Sequence, residues 1–150
     1  DSTDIAGLIT AIMDGDSTNS DDVFPRTWDY FCFGDQDPRY DHVLFTIGST
    51  NYSKINIILY HRDDLCDSIP DACQDHGWYS GGNQLFMSGT NKNLAPLYAH
   101  STFAHELQHL CFKANGLWGY TSINESMSKC AEHRERSYQY YPSQYHPDKC

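Results

Sequence analysis

The stretch His105-Glu106-Leu107-Gln108-His109 lies inside an apolar segment that runs from 101 to 112. Because four residues make just over one helical turn, His105 and His109 would project from the same face of a helix. The apolar residues around them recur at helical spacing, so this helix should be buried. They are Phe103, Ala104, Leu107, Leu110 and Cys111. Buried imidazole and carboxylate groups need a partner, and this stretch therefore predicts a core helix that carries a polar site.

The spacing is that of the HExxH pattern, in which two His side chains bind one metal ion. Zinc in catalytic sites takes three protein ligands and leaves one position for water. We therefore predict one catalytic Zn²⁺ with His105 and His109 as ligands. Glu106 directly follows the first His and could reach a water at the metal without being a ligand, which predicts a general base. The alternative is a helix with two exposed His and one exposed Glu, and the apolar flanks argue against it.

The composition indicates a single globular domain over 1–150. Apolar residues make up 39% of the chain and aromatic residues 14%, enough to form a core. Asp and Glu number 20 against 10 Lys and Arg, without a basic stripe, which argues against nucleic acid as a partner. No apolar run is long enough to span a bilayer, and the net charge of −10 favours a monomer. The chain begins at Asp1 without an initiator Met, as either a processed protein or a fragment cut from a longer chain would.

Six cysteines are many for a chain of this length, and no two of them form a CxxC pair. They are Cys32, Cys66, Cys73, Cys111, Cys130 and Cys150. An even number at irregular spacing favours disulfides and hence a secreted protein in an oxidising compartment. The turn-like loop between Cys66 and Cys73 predicts a local bridge between these two. The alternative is free buried thiols in a cytosolic protein.

The N-terminal part of the chain predicts a helix, an acidic loop and an aromatic cluster. Residues 2–13 carry an apolar stripe and are followed by Gly15, which predicts a helix. Residues 14–22 contain four Asp but lack the glycine and the closing glutamate of an EF-hand, so we favour a solvated loop over a calcium site. The aromatic residues between 24 and 33 predict core packing rather than a ligand site.

Three apolar runs predict strands in a mixed sheet. Residues 42–47 and 55–60 are almost continuously apolar, which is typical of central strands buried on both faces. Residues 61–82 contain Pro70 and several glycines and predict a long loop. The run Gln84-Leu85-Phe86-Met87-Ser88 predicts an edge strand beside a cleft, to which an extended peptide could add through backbone hydrogen bonds.

Two helices are predicted in the C-terminal half, which makes the fold class α+β. The short sheet is expected to pack on the N-terminal helix and on the HExxH helix. That site helix begins near Pro96 and ends near Asn115-Gly116, because glycine commonly follows a helix end. The second helix runs from about Thr121 to about Tyr138.

The residues after His109 do not continue as HExxHxxGxxH, so a third His ligand at that spacing is excluded, and no Asp follows at short spacing. Glu125, early in the second helix, remains as a candidate. Ser122 and Glu125 also fit a capping box, in which Glu125 would only reach back to the Ser122 backbone. Both interpretations of Glu125 stand at this point.

An HExxH pattern followed by Asn124-Glu125 on a second helix resembles the gluzincin metallopeptidases. More narrowly, His-Glu-Leu-Gln-His followed by Asn-Glu-Ser-x-Ser-x-Cys-Ala-Glu is similar to the hyicolysin family of secreted bacterial peptidases. The resemblance covers about 24–133, with specific motifs only between 101 and 132. Ser126, Lys129 and Cys130 depart from the residues usual in that family.

The resemblance implies a zincin-like fold and a secreted zinc endopeptidase of minimal form that acts on protein or peptide substrates. It implies His105, His109 and Glu125 as the zinc ligands, with Glu106 as the base that passes a proton from water to the leaving amine. The side chains expected to support these ligands are those of Asn124 and Glu132. The candidates for stabilising the oxyanion are Tyr120, His133 and Tyr138.

The alternative function is a non-catalytic secreted binding or adhesion protein that keeps a zinc site for stability. Glu106 favours the enzyme, because a structural zinc site closes its fourth position with another protein ligand. Metal analysis followed by casein hydrolysis with and without chelator would distinguish the two functions.

Overall fold

The computed structural model describes residues 23–32, 45–60, 77–88, 96–119 and 121–140. These residues form an α+β arrangement of three helices and five short strands, as the sequence predicts. In chain order they are α1 (Val23–Phe31), β1 (Phe45–Ile47), β2 (Thr50–Tyr52), β3 (Asn56–Tyr60), β4 (Gly77–Gly81), β5 (Gln84–Ser88), α2 (Pro96–Ala114) and α3 (Thr121–Tyr140). None of the described helices is both long and apolar enough to cross a membrane. The helix predicted at 2–13, the acidic loop at 14–22 and the Cys66–Cys73 bridge lie outside the described residues.

The aromatic segment near the N-terminus forms helix α1, which packs on α2. Phe24 and Trp28 lie one turn apart, and their rings stack with centroids 5.5 Å apart. Phe24 also lies against Phe103 of α2, with 6.3 Å between the ring centroids. All three side chains are buried, which confirms the predicted core packing. The segment is helical because its buried residues recur at helical spacing, a periodicity that the high aromatic content obscures.

The strands form two small sheets. β1 and β2 make an antiparallel hairpin that turns at Gly48, where φ is 60°. The other sheet is mixed, with the order β3-β5-β4, and it confirms the predicted short mixed sheet. β5 runs parallel to β3 and antiparallel to β4. Its inward side chains, Leu85 and Met87, are fully buried in the same core as α2.

Three strand predictions are wrong in their details. Residues 77–81, predicted as part of a loop, form β4. This strand is only five residues long and has a glycine at each end, so its sequence resembles that of a loop. β5, predicted at an edge, is paired on both sides and is the central strand of its sheet. β1 belongs to a two-stranded sheet and β3 is the outer neighbour of β5, so neither is a central strand buried on both faces. Strand order depends on partners distant in sequence, which a local apolar run does not reveal.

The two C-terminal helices match their predicted boundaries closely. Helix α2 ends in a Schellman motif in which the amide of Gly116 donates to Lys113 O, while the amide of Leu117 donates to Phe112 O. Gly116 has φ 74°, a conformation that favours glycine, so the predicted stop at this residue is confirmed. Helix α3 then returns along α2 and contributes the buried residue Ala131 to the core.

Disulfides tie these elements together. Cys32, directly after α1, is bonded to Cys111 on α2. Cys130 on α3 is also disulfide-bonded. The described part of the chain contains no free cysteine, which confirms for these three residues the prediction that most cysteines are bridged.

Candidate metal centre

Helices α2 and α3 bring the three predicted ligands together. Nε2 of His109 lies 3.7 Å from one carboxylate oxygen of Glu125, and Nε2 of His105 lies 3.9 Å from the other. One ligand atom from each of these residues lies within 4.8 Å of the others. A tetrahedral zinc ion holds its ligand atoms about 3.4 Å apart, given bonds of about 2.1 Å. The three side chains, called here the His-Glu triad, therefore converge at nearly the spacing that one ion requires.

A pair of charged side chains on α3 orients the first His. Nδ1 of His105 lies 3.3 Å from Oε2 of Glu132, and the same oxygen accepts a hydrogen bond of 2.8 Å from Nζ of Lys129. Because a carboxylate only accepts, this contact favours the tautomer of His105 with its proton on Nδ1, which leaves Nε2 on the side of Glu125. Glu132 thus has the supporting position that the sequence predicted for it.

Burial affects the protonation of His109, the second His of the triad. Desolvation lowers the pKa of His109, and the neighbouring charge of His105 lowers it further. The nearby polar side chain of Asn124 and the charge of Glu125 raise this pKa, which opposes the effect of burial. The neutral imidazole, which is the form that binds metals, is therefore favoured. Asn124 is buried beside this ring on the first turns of α3.

The chemistry of these groups fits a cation. Two imidazole nitrogens with free lone pairs and an anionic carboxylate all face one another, and each of them is an electron-pair donor. Such an arrangement is repulsive unless a positive ion or additional protons occupy the space between the groups. Imidazole and carboxylate together suit zinc among the divalent ions. The His-Glu triad is thus able to hold a metal ion.

Glu106 is buried between α2 and the sheet. Its side chain packs against Gly77 of β4, where an added Cβ would lie 3.3 Å from Cγ of Glu106. The same Cβ would lie only 2.7 Å from Phe86 O and from Cγ2 of Thr102. Because Gly77 has no side chain, the backbone of β4 can approach the helix closely and contact the side chain of Glu106.

The capping-box interpretation of Glu125 does not match the structure. Helix α3 already includes Thr121, so Ser122 lies inside the helix rather than at its N-cap. The carboxylate of Glu125 is directed at the two His rings. The Ser122 carbonyl instead accepts a hydrogen bond of 2.8 Å from the hydroxyl of Ser126.

Trp118, which lies next to His109, and Tyr79, which packs on Trp118, are not among the sequence-predicted site residues. The ring centroid of Trp118 lies 6.3 Å from that of His109 and 5.6 Å from that of Tyr79 on β4. Burial raises the pKa of Tyr79 to about 12, so its hydroxyl stays protonated, and it donates to Gly82 O at 3.1 Å. The sequence signal for Trp118 was its place two residues after Gly116, the glycine that ends the site helix.

The three residues predicted to stabilise the oxyanion are described only in part. His133 is exposed on α3, whereas Tyr120 and the side chain of Tyr138 lie outside the described residues. Their suggested role at the oxyanion stays a prediction. Strand β5, expected to bind substrate as an edge strand, is paired with β3 on one side and with β4 on the other. The edges of this described sheet are therefore β3 and β4.

No family model, curated protein or solved structure matches this chain. The assignment of function therefore depends on the geometry and chemistry of the site itself.

Proposed function

We propose that this protein is a zinc-dependent endopeptidase that hydrolyses peptide bonds. The observation that carries the proposal is the convergence of His105, His109 and Glu125 within 4.8 Å of one another. The two His residues come from one helix and the Glu from the next, which is the ligand arrangement of a gluzincin. A zincin-like fold is part of this proposal.

The chain's own residues supply the remaining chemistry. A zinc ion held by the His-Glu triad would activate water and polarise the substrate carbonyl. Glu106 accepts a proton from the attacking water as the water oxygen bonds to the carbonyl carbon. Glu106 then delivers that proton to the amine nitrogen as the C–N bond breaks, so the carboxylate is regenerated. Burial of Glu106 and its contact with Gly77 hold the base in a single position.

The site is accessible to a substrate from the side of Glu125. The side chain of Glu125 is 56% exposed, whereas those of His105 and His109 are 15% and 10% exposed. A structural zinc site would enclose the ion with a fourth protein ligand, and the described residues place only three such groups there. This difference favours an enzyme over a binding protein with a structural zinc.

Strand β4 is the proposed partner for an extended substrate. It pairs with β5 along one side, and no other described strand pairs with its second side. Gly77 at its start lies against Glu106. A peptide that adds to β4 through backbone hydrogen bonds would therefore pass next to the base and the triad.

We further propose that the protein acts outside the cell. Disulfides at Cys32, Cys111 and Cys130 support this compartment, because such bonds persist in oxidising environments.

The deciding experiment compares wild type with Glu106→Gln. We expect the variant to keep stoichiometric zinc and to lose hydrolysis of casein by several orders of magnitude, because the base is removed and the ligands remain. Wild type treated with chelator should also be inactive and should recover when zinc is added back. If wild type binds zinc and cleaves neither casein nor peptides, the protein is instead a binding protein with a structural metal.

A further inference from the structure

Trp118 is a large apolar side chain that is exposed beside the candidate metal centre. It lies in the short connection between α2 and α3, and 41% of its surface is accessible. Its ring lies nearly perpendicular to that of His109, with an interplanar angle of 77° and 6.3 Å between the centroids. The indole is therefore a direct neighbour of one of the three proposed metal ligands.

The structure holds this ring in place from several directions. The Schellman motif at Gly116 sets the direction in which the chain leaves α2, two residues before Trp118. Nζ of Lys113 lies 5.2 Å from the centroid of the indole, in a cation–π contact. Tyr79 packs against the ring at 73° and is itself fixed by its hydrogen bond to Gly82 O. The indole is thus a preorganised surface, which binds at a lower entropic cost than a mobile side chain.

The position of Trp118 distinguishes it from other exposed apolar residues. Single exposed side chains are common and need no functional explanation. Ile57 on β3, for example, is 37% exposed and is not part of the triad's surroundings. In an extended peptide, neighbouring residues are about 3.3 Å apart along the chain. The side chain of a residue next to the reacting carbonyl would therefore reach the indole.

We propose that Trp118 determines the substrate specificity of this site by binding a bulky apolar or aromatic side chain on a residue that flanks the cleaved bond. This assignment rests on the proposed peptidase function. Aromatic rings gain energy from offset or edge-to-face packing in addition to burial, so Phe, Tyr, Trp, Leu and Met are the expected residues at that substrate position. In this proposal Trp118 determines which substrates bind well, whereas Glu106 and the His-Glu triad carry out the hydrolysis.

The test uses wild type, Trp118→Ala, Trp118→Phe and the control Ile57→Ala, which removes a similarly exposed apolar side chain on β3. Each protein is loaded with zinc, its zinc content is measured, and it is incubated with a synthetic library of unblocked peptides. Mass spectrometry then identifies the cleaved bonds. We expect wild type and Ile57→Ala to prefer a bulky apolar residue at one position beside the cleaved bond. Trp118→Ala should lose that preference by about tenfold in kcat/KM, and Trp118→Phe should keep most of it.

A second measurement separates binding from hydrolysis. The peptide that wild type cleaves best, and the same peptide with Ala at the preferred position, are titrated into Glu106→Gln and into the double variant Glu106→Gln/Trp118→Ala. The first protein should bind the bulky peptide about tenfold more tightly, and the second should not distinguish the two peptides. An unchanged cleavage profile in Trp118→Ala with normal zinc content would overturn the role of Trp118 and leave the peptidase intact. A zinc-loaded wild type that cleaves no peptide would overturn the peptidase and this assignment with it.

Discussion

At the scale of single residues, the carboxylate of Glu132 determines which nitrogen of His105 faces the triad. One oxygen of this carboxylate lies 3.3 Å from Nδ1 of His105 and 2.8 Å from Nζ of Lys129. The hydrogen bond from Lys129 holds the carboxylate in place, and the carboxylate in turn orients the ring of His105. Burial lowers the pKa of His109 and so favours its neutral ring. Two imidazole groups and the carboxyl group of Glu125 are together a ligand set that suits a divalent cation.

The ligand role of Glu125 can be tested by its removal. Glu125→Ala should weaken zinc binding by more than the 10–100-fold expected when only a supporting residue is lost, because a direct ligand and the only negative charge of the triad disappear. Competition with a chelating dye measures this affinity.

Ser122→Ala is the matched control for the capping-box alternative. If Ser122 and Glu125 formed a capping box, its loss would cost about 0.5–2 kcal/mol of unfolding free energy and leave zinc affinity nearly unchanged. The structure leads us to expect little effect of Ser122→Ala on either property. Normal zinc affinity in Glu125→Ala would contradict the assignment of the third ligand.

At the scale of elements, β4 and α2 approach each other unusually closely. The contact occurs at Gly77, where an added Cβ would lie 2.7 Å from the carbonyl oxygen of Phe86 and 2.7 Å from Thr102. A side chain can rotate away from such a clash, but the backbone carbonyl of a central strand cannot. Both the fit of β4 against β5 at Phe86 and its packing against Thr102 and Glu106 of the site helix thus depend on a residue without a side chain.

Gly77→Ala should therefore destabilise the fold and disturb the base. Overpacking of this kind costs about 1–3 kcal/mol, measured as a lower midpoint of urea unfolding. Because Glu106 must move with the helix or the strand, peptide hydrolysis should fall more than zinc affinity does.

Gly119→Ala provides the comparison for this variant. An added Cβ at Gly119 meets no atom within 4 Å, so its unfolding free energy should change by no more than about 0.5 kcal/mol. Equal urea midpoints for the two variants would show that β4 does not pack against α2 as described.

At the scale of the whole molecule, α2 is the element around which the other parts assemble. It packs against α1 through Phe103, against the sheet beside Gly77, and against α3 through the triad. The bond between Cys32 and Cys111 joins the end of α1 to α2 across a sequence separation of 79 residues. A cross-link over so long a separation restricts the unfolded chain strongly, so it stabilises the native state.

The double variant Cys32→Ala/Cys111→Ala should unfold at lower temperature than wild type. The expected loss is about 2–4 kcal/mol of unfolding free energy, measured by urea titration and by the thermal midpoint in the presence of zinc. Both cysteines are replaced so that no free thiol remains. Zinc affinity of the folded variant should change little, because neither cysteine contacts the triad. An unchanged thermal midpoint would show that this bond does not stabilise the fold.

The helices and the site residues on them were predictable because their signals are local. The apolar stripe around His105 and His109 has the period of a helix, and Gly116 marks its end. A spacing of four residues on one helix determines that the two imidazoles share a face. Helix α1 was not predicted as a helix because its aromatic residues, such as Phe24 and Trp28, are compatible with several kinds of core packing.

By itself, the sequence determined the class of the fold, the helix that carries His105, Glu106 and His109, and the presence of disulfides. Only the tertiary structure brought the carboxylate of Glu125 to the two His rings, placed β5 at the centre of its sheet, and brought Trp118 next to His109 and Gly77 next to Glu106. The physical reason is that strand order and contacts between helices depend on residues far apart in the chain. Their energies come from packing and from electrostatic interactions between side chains, and a local pattern of residues does not contain them.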